Sequence, residues 1–240
     1  MNVNAQGFME HINSPWGKMQ YRLMWEQLDF AQGMRVLDFG SGFGVTASRL
    51  AMCNEVVAVE PADEMLAMCV NEHDYKQIRG GIDDLPDEQF DLVLCHNVLE
   101  FVEDWRDYAA RLIKCVKPGG KLSLVKHNLA GKAMRQAAAD NDPAGALALM
   151  QGELPENNFG KVRLFGTDEF IGWAAAQGFA AERHYGIRMF YNLSPNNDNW
   201  DDPAWVAAIY ALEQHAAQLE PYRSIAFFHH LLLRKQIAHQ

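Results

Sequence analysis

The sequence lacks long apolar runs, has few cysteines and is short of positive charge. Nothing in its 240 residues approaches the roughly 18–20 uninterrupted apolar positions of a membrane-spanning helix, so a helical span is not expected. The opening Met1-Asn2-Val3-Asn4-Ala5-Gln6 also lacks the basic-then-apolar pattern of a secretory leader, and a cytoplasmic location is expected. The 4 cysteines, Cys53, Cys69, Cys95 and Cys115, stand 16, 26 and 20 residues apart with no CxxC pair, which points to buried free thiols and away from disulfides. With 21 Lys and Arg against 31 Asp and Glu, the net charge of −10 argues against gripping a nucleic acid over the whole surface. A 49% hydrophobic and 22% charged composition excludes disordered and fibrous classes and gives enough core for one large domain spanning 1–240.

The charge is unevenly spread. Segments 1–60, 61–110, 111–193 and 194–240 carry −2, −10, +4 and −2, so one 50-residue stretch holds a deficit equal to the whole net charge. A local basic face within 111–193 is therefore compatible with an acidic whole.

Short β-rich runs at 34–38, 55–60, 90–95 and 121–126, with a weaker one ending near Arg79, alternate with helical patterns at 44–52, 63–72 and 104–116. Lys117-Pro118-Gly119-Gly120 reads as a helix stop followed by a turn. Such alternation specifies right-handed crossovers and a parallel sheet covered on both faces, an α/β fold. Farther along, one helix is expected over 129–150, another over 167–177, a strand from Ala180 to Tyr191, a turn-rich loop at 194–199, a helix near 203–218 and a final strand over 225–233. This divides the domain into an N-terminal helical cap (1–33), a ligand-binding core (34–126) and two insertions (127–166 and 194–222) over the sheet's C-terminal edge, where open α/β folds place ligands.

The most specific local pattern is Asp38-Phe39-Gly40-Ser41-Gly42-Phe43-Gly44, between the first strand and the first core helix. Glycines at alternate positions let a ligand lie directly on the main chain. Eighteen residues after Gly42, the second strand ends in Glu60, whose carboxylate can accept hydrogen bonds from both ribose hydroxyls. A dinucleotide fingerprint would place Gly or Ala at position 45, where Val stands, and Asp38 would repel a pyrophosphate but could orient an ammonium.

These residues, with Glu60-Pro61-Ala62, Asp83, Phe90-Asp91-Leu92-Val93 and Lys117-Pro118-Gly119-Gly120, resemble the ordered motifs of class I S-adenosylmethionine (SAM) dependent methyltransferases. The resemblance implies a Rossmann-like, doubly wound, seven-stranded and mostly parallel sheet, with SAM as cofactor. It further implies that Asp38, Gly40, Ser41 and Gly42 hold the methionine part, Glu60 the ribose, Pro61, Ala62, Met65 and Ile82 the adenine surroundings, and Asp83 the adenine amino group. His96, after the fourth strand, resembles the residue that lines the sulfonium and the substrate channel. His73, His215, His229, His230 and His239 form no metal-ligand pattern, so no metal is expected.

Outside the core, the stretch from Gly17 to Leu28, His127-Asn128-Leu129-Ala130-Gly131, Gly186 to Tyr191 and Leu219-Glu220-Pro221-Tyr222 are similar to bacterial methyltransferases that esterify 5-carboxymethoxyuridine in tRNA. One departure is Gln20, where that family's arginine is expected, with Arg22 two residues later. A carboxylate nucleophile needs no general base at neutral pH but does need an oriented cation, and Arg188 suits because a guanidinium grips a carboxylate at two points. Tyr191, Tyr222 and Arg223 are candidates to complete the pocket with His96, His127, Asn128, Gln20 and Arg22, and Trp16 or Trp25 to stack on a ring. Core packing is the plain alternative for the aromatics, and a surface ion pair for Arg188 and Arg223. The expected partner is tRNA on a basic substrate-side face. The competing readings are methylation of a small organic acid or phenol, and a SAM-binding regulator without catalysis.

Overall fold

The computed structural model describes residues 5–28, 32–157, 160–194 and 199–237. Met1 to Asn4, His239 and most of the expected 194–199 loop lie outside the described residues. Two helices open the chain, α1 (Ala5–Asn13) and α2 (Pro15–Leu28). Ser14 caps α2 by accepting the Gly17 N–H at 3.1 Å, and Pro15 stands at the first helical position, where its missing N–H costs nothing.

The core then alternates β1 (Arg35–Phe39), α3 (Val45–Ala51), β2 (Glu55–Glu60), α4 (Asp63–Leu66), β3 (Lys76–Arg79), β4 (Phe90–His96), α5 (Trp105–Leu112) and β5 (Val116–His127). Beyond it come α6 (Leu129–Ala138), α7 (Pro143–Met150), a minimal hairpin of β6 (Glu156–Asn157) and β7 (Gly160–Lys161), α8 (Thr167–Ala176), β8 (Phe179–Ile187), α9 (Pro203–Ala216) and β9 (Phe228–Lys235). The seven-stranded sheet runs β3-β2-β1-β4-β5-β9-β8; β1 to β5 pair in parallel, and β9 lies antiparallel to both β5 and β8. The expected α/β class with a mostly parallel, seven-stranded sheet is what the chain adopts.

Both sheet faces are covered. On one, Leu37, Phe39, Val57 and Val93 pack with Ala109 and Leu112 of α5 and Phe170 and Ala174 of α8. On the other, Val36, Val56, Ala58 and Leu92 meet Leu28 of α2 and Ala47 and Leu50 of α3. This is the two-sided burial a parallel sheet requires. The chain reverses direction across the sheet between β1 and β4, and the loops at their C-terminal ends open the crevice where α/β folds bind ligands.

Several expected elements change form. The helix over 129–150 is two helices: Asn141 takes a left-handed φ of 53°, Asp142 caps α7 by accepting the Gly145 N–H at 2.9 Å, and Pro143 starts it. The helix over 63–72 stops at Leu66, after which the Val70 N–H turns back to the Phe43 carbonyl at 2.7 Å. Lys117-Pro118-Gly119-Gly120 is a bulge inside β5, since Phe90 pairs with Val116 but Leu92 pairs with Lys121. The expected strand to Tyr191 ends at Ile187, and the last strand begins at Phe228, preceded by a 3-10 turn at Arg223–Ile225. All four cysteines are free; Cys95 and Cys115 are buried and Cys53 and Cys69 only half-buried.

Candidate active site

One cavity of about 1070 Å³ opens at the C-terminal ends of β1, β2 and β4 and runs under α1, α2 and α6. Its sheet end is built by the glycine turn. The Gly40 and Ser41 N–H groups both donate to the Val59 carbonyl (2.8 and 3.1 Å), which fastens the turn to β2. Glu60 extends the clasp: its Oε2 accepts the Gly42 N–H and its Oε1 the Ala62 N–H, each at 2.9 Å. Gly40 is demanded by packing as well as by its φ of 74°, because a Cβ there would lie 2.3 Å from Val98 Cγ2.

Asp38, near the end of β1, is buried, and its Oδ2 has no hydrogen-bond partner within the protein. Burial, then the neighbouring Glu60 charge, push its carboxyl up to about 7, against a hydrogen bond from the Ala47 N–H. Ser41 Oγ and Asn97 Oδ1 are likewise buried without partners. Pro61, Ala62, Met65, Ile82 and His96 complete this end of the wall.

His96 is fixed from behind. Gln27 Nε2 donates to the Gly186 carbonyl at 3.2 Å, so its Oε1 accepts from His230 Nδ1 at 2.9 Å. His230 Nε2 then accepts from Ser123 Oγ, and Ser123 Oγ accepts from His96 Nε2, both at 2.8 Å. In this chain His96 Nδ1 carries no proton, and burial pulls the imidazole down to about 3, so it stays neutral.

The other end centres on Arg188, which is 6% exposed and holds a left-handed φ of 62° just past β8. Glu213 of α9 enforces that turn by accepting the Met189, Phe190 and Tyr191 N–H groups at 2.9, 2.8 and 2.8 Å. Arg188 Nε donates to Asn192 Oδ1 at 2.7 Å and Nη1 to Gln20 Oε1 at 3.0 Å, while its guanidinium lies 4.4 Å from the Trp16 ring centroid and 5.2 Å from that of Phe227. Among the described residues no carboxylate pairs with it. Burial, then Arg135, draw it down to about 9, still charged at neutral pH. Gln20, which stands where an arginine was expected, thus holds one edge of this guanidinium. Tyr191, Trp16 and His127 share this wall.

Five expected site residues lie elsewhere. Asp83 points out to solvent and pairs with Arg111. Arg22 lies over the Tyr210 ring at 3.8 Å and pairs with Glu26 at 3.5 Å, because its position on α2 faces away from the side that carries Gln20. Tyr222 is 40% exposed, its ring tilted against Phe190 at 5.3 Å. Arg223 Nε is held by Glu220 Oε1 at 2.9 Å beside a separate small cavity. Asn128 ties β5 to the start of β9, its Nδ2 donating to the Ser224 and Ala226 carbonyls at 2.9 and 2.8 Å. Trp25 is also outside the cavity, with Nε1 on Thr46 Oγ1 at 3.2 Å.

Conversely, the cavity recruits residues not singled out from the sequence. His11 of α1 stands edge-on to Trp16, and burial, then Arg188 and His127, bring it down to about 3. Lys132 and Arg135, three residues apart on one face of α6, add positive charge at the rim; burial, then Arg135, lower the Lys132 ammonium to about 8. That spacing was the available signal. Among the described residues no cluster of His, Cys, Asp or Glu could hold a metal ion, and no helix is long and apolar enough to cross a membrane.

Known proteins match this architecture. A family model described as a methyltransferase domain matches residues 37–124. The tRNA 5-carboxymethoxyuridine methyltransferase of Escherichia coli (strain K12) is 25% identical over 96% of this chain and 94% of its own length. The ubiquinone biosynthesis O-methyltransferase of Rhizobium etli (strain CIAT 652) is 27% identical over 71% of this chain and 68% of its own. A solved S-adenosylmethionine dependent methyltransferase from Mesorhizobium loti superposes with a TM-score of 0.62 at 17% identity, covering 92% of this chain and 100% of that one. With the strand order, the glycine turn and the strand-end acid already in place, residues 37–124 are a methyltransferase domain, and the fold is that of SAM-dependent methyltransferases.

Proposed function

We propose that this enzyme methylates a carboxylate oxygen, and that the carboxylate is carried by a carboxymethoxy-modified wobble uridine of tRNA. The observation that carries the reading is Arg188, a buried guanidinium bracketed by Gln20 and Asn192 with no carboxylate of the described residues paired to it. A buried cation held in place without an anion is a receptor for one. The similarity to the E. coli relative along 96% of the chain supports the nucleoside, and Lys132, with Arg135 where a phosphate displaces its partner Asp140, supplies charge for phosphates. A tRNA acceptor places the reaction in the cytoplasm.

The sheet end fits the cofactor. Asp38, Ser41 and Asn97 each hold a buried oxygen without a partner, an arrangement that is costly unless a ligand supplies donors. In this reading Asp38 and the Gly40-Ser41-Gly42 turn would hold the amino-acid part, Glu60 the ribose hydroxyls, and Pro61, Ala62, Met65 and Ile82 the base. When bound, SAM supplies an electrophilic methyl group on a sulfonium. The chain's own work is alignment: Arg188 fixes the carboxylate, His96 forms a rigid neutral wall between the two ends, and Trp16 and Tyr191 exclude water. An ionised carboxylate needs no proton removed.

Purified enzyme incubated with methyl-labelled SAM and tRNA bearing carboxymethoxyuridine is expected to give a base-labile methyl ester. Absence of that ester while SAM binds normally overturns the proposal.

A further inference from the structure

Gripping a carboxylate through Arg188 leaves three neighbouring hydrogen-bond donors unused. Asn192, 7% exposed, turns its Oδ1 to Arg188 Nε at 2.7 Å. A guanidinium only donates, so this contact fixes the amide, and the buried Nδ2 at its other end has no partner among the described residues. Tyr191, 3% exposed, holds its hydroxyl buried without a partner; burial pushes the phenol up to about 12, so it keeps its proton at neutral pH. The Trp200 indole stacks on the Tyr191 ring, with centroids 5.6 Å apart and planes 18° apart, and its Nε1–H is also buried without a partner. All three residues line the cavity with Arg188. At the sheet end the corresponding atoms of Asp38 and Asn97 are acceptors, so the two ends ask for opposite hydrogen-bonding groups.

Buried donors left unpaired are costly, and a ligand that brings acceptors relieves the cost. Asn192 extends from Arg188 by a single amide, so the acceptor that its Nδ2 can meet lies only a few bonds from the carboxylate that Arg188 holds. In a 5-carboxymethoxypyrimidine the group on C4 stands next to the carbon that bears the carboxymethoxy arm. In uracil that group is a carbonyl, which accepts; in cytosine it is an amino group, which donates. We propose that Asn192 is a specificity-determining residue that reads the C4 carbonyl of uracil, with Tyr191 and Trp200 as the donor-bearing wall beside it, so that the site takes carboxymethoxyuridine and rejects the cytidine analogue. The amide does not turn over to suit cytosine, because that would withdraw Oδ1 from Arg188 Nε and set an NH2 group against the guanidinium. The clamp for the carboxylate thus locks the reader of the base. The inference rests on the proposal that Arg188 receives the carboxylate of a modified pyrimidine.

The test uses the full chain, methyl-labelled SAM and two synthetic anticodon stem-loops that differ only at the wobble nucleotide, 5-carboxymethoxyuridine in one and 5-carboxymethoxycytidine in the other. Their phosphates are the same, so the ratio of kcat/KM reports the base alone. A ratio of at least ~50 in favour of uridine is expected, as for a site whose buried donors go unmet by the wrong ligand. Asn192→Asp keeps an oxygen for Arg188 Nε and replaces the free donor with an acceptor. It is expected to lower both rates, since its charge competes for Arg188, and to lower the uridine-to-cytidine ratio at least ~tenfold, with calorimetric SAM affinity retained as the sign of a folded site. Trp200→Phe is expected to lower kcat/KM for the uridine stem-loop about fivefold. A readout without turnover is the indole N–H resonance of Trp200, identified by its loss in Trp200→Phe. With S-adenosylhomocysteine present it should move downfield on adding the uridine stem-loop and not the cytidine one. Equal rates on the two stem-loops, a ratio that survives Asn192→Asp, or a Trp200 resonance that responds alike to both each overturns the proposal. Ester on both stem-loops at similar rates refutes the base reading and leaves the carboxylate reading standing; ester on neither refutes the carboxylate reading and this inference with it.

Discussion

Replacing Arg188 with Met separates a binding clamp from a structural keystone, because the two roles predict opposite effects on stability. A guanidinium drawn from its ordinary 12.5 to about 9 is disfavoured in the folded state by about 5 kcal/mol. The sign is that of a cation whose folded pKa is depressed: below about 9 it is protonated in both folded and unfolded chains, so the full penalty is present at pH 7 and is relieved only between about 9 and 12.5. Met removes that penalty with similar volume, and since neither residue is glycine the cost of the left-handed backbone is unchanged. Against this, Gln20 Oε1 and Asn192 Oδ1 lose their donors, at about 1–3 kcal/mol each. The net is a change of roughly −1 to +3 kcal/mol in stability, and each kcal/mol moves the melting temperature of a domain this size by about 2–4 °C. Turnover behaves differently. Loss of a two-point charge-assisted grip worth about 3 kcal/mol lowers kcat/KM for a carboxylate acceptor about 100-fold. Scanning calorimetry, SAM titration and initial rates on Arg188→Met should therefore show a melting temperature between about 4 °C lower and about 12 °C higher, intact SAM affinity and a crippled enzyme. A melting temperature lowered by 10 °C, or lost SAM binding in a folded variant, would refute the assignment.

Glu60→Ala and Gly42→Arg are each expected to weaken calorimetric SAM affinity at least tenfold, the first by removing the ribose acceptor and the acceptor of the Gly42 and Ala62 N–H groups, the second by filling the cavity. Asp38, raised to about 7, contributes stability that is full below its ordinary 3.8 and lost as pH rises through about 7. The ligand-free protein should accordingly melt lower as pH rises across that window, while SAM affinity increases as Asp38 ionises; Asp38→Asn should flatten both curves. Gln20→Ala frees one edge of Arg188 and should cost about tenfold in kcat, with SAM affinity unchanged, checked by single-turnover rates. Lys132→Ala with Arg135→Ala should weaken tRNA binding and reduce the slope of log affinity against log salt by about 2, measured by filter binding at several ionic strengths.

The sheet and the glycine turn were readable because their signals are local. β1 and β2 are short runs buried almost without interruption, as a sheet covered on both faces requires, and the distance from Gly42 to Glu60 is set by one helix and one strand. The acceptor end was only half readable because its residues come from segments far apart in the chain. Gln20 and Arg188 meet across 168 positions, and Glu213 shapes the turn behind Arg188 from α9. The arginines at 22 and 223 carry the same chemistry as Arg188 but sit on faces where Glu26 and Glu220 reach them first. Asp83 shows the same limit: its motif neighbours Gly81 and Ile82 line the cavity, yet its own side chain turns outward to Arg111. Residue type nominates a candidate; direction of approach decides it. Glu100 was not singled out from the sequence; only the fold shows it buried, with His127 as its partner.

The net charge of −10 bears on the acceptor only through where the charges stand. Many of the acids in 61–110 face solvent: Asp63 pairs with Arg79, Asp83 with Arg111 and Asp91 with Lys117. Charges on that outer surface are screened within about 8–10 Å at physiological salt. The three cations of the acceptor end, Lys132, Arg135 and Arg188, all come from the +4 segment and are screened far less where they are buried. Asp38 and Glu60 hold the opposite, acidic end; under α6 Arg135 is paired with the lining Asp140 at 3.0 Å, which leaves Lys132 and the buried Arg188 as the cations there without a carboxylate partner among the described residues. An ammonium-bearing ligand is drawn to one end and an anionic acceptor to the other, and each is repelled from the wrong seat. That field orders the two reactants without either contacting the acidic exterior, so an acidic protein of this shape loses little in taking an anionic acceptor, and its association rate should depend on ionic strength through the rim lysine and arginine.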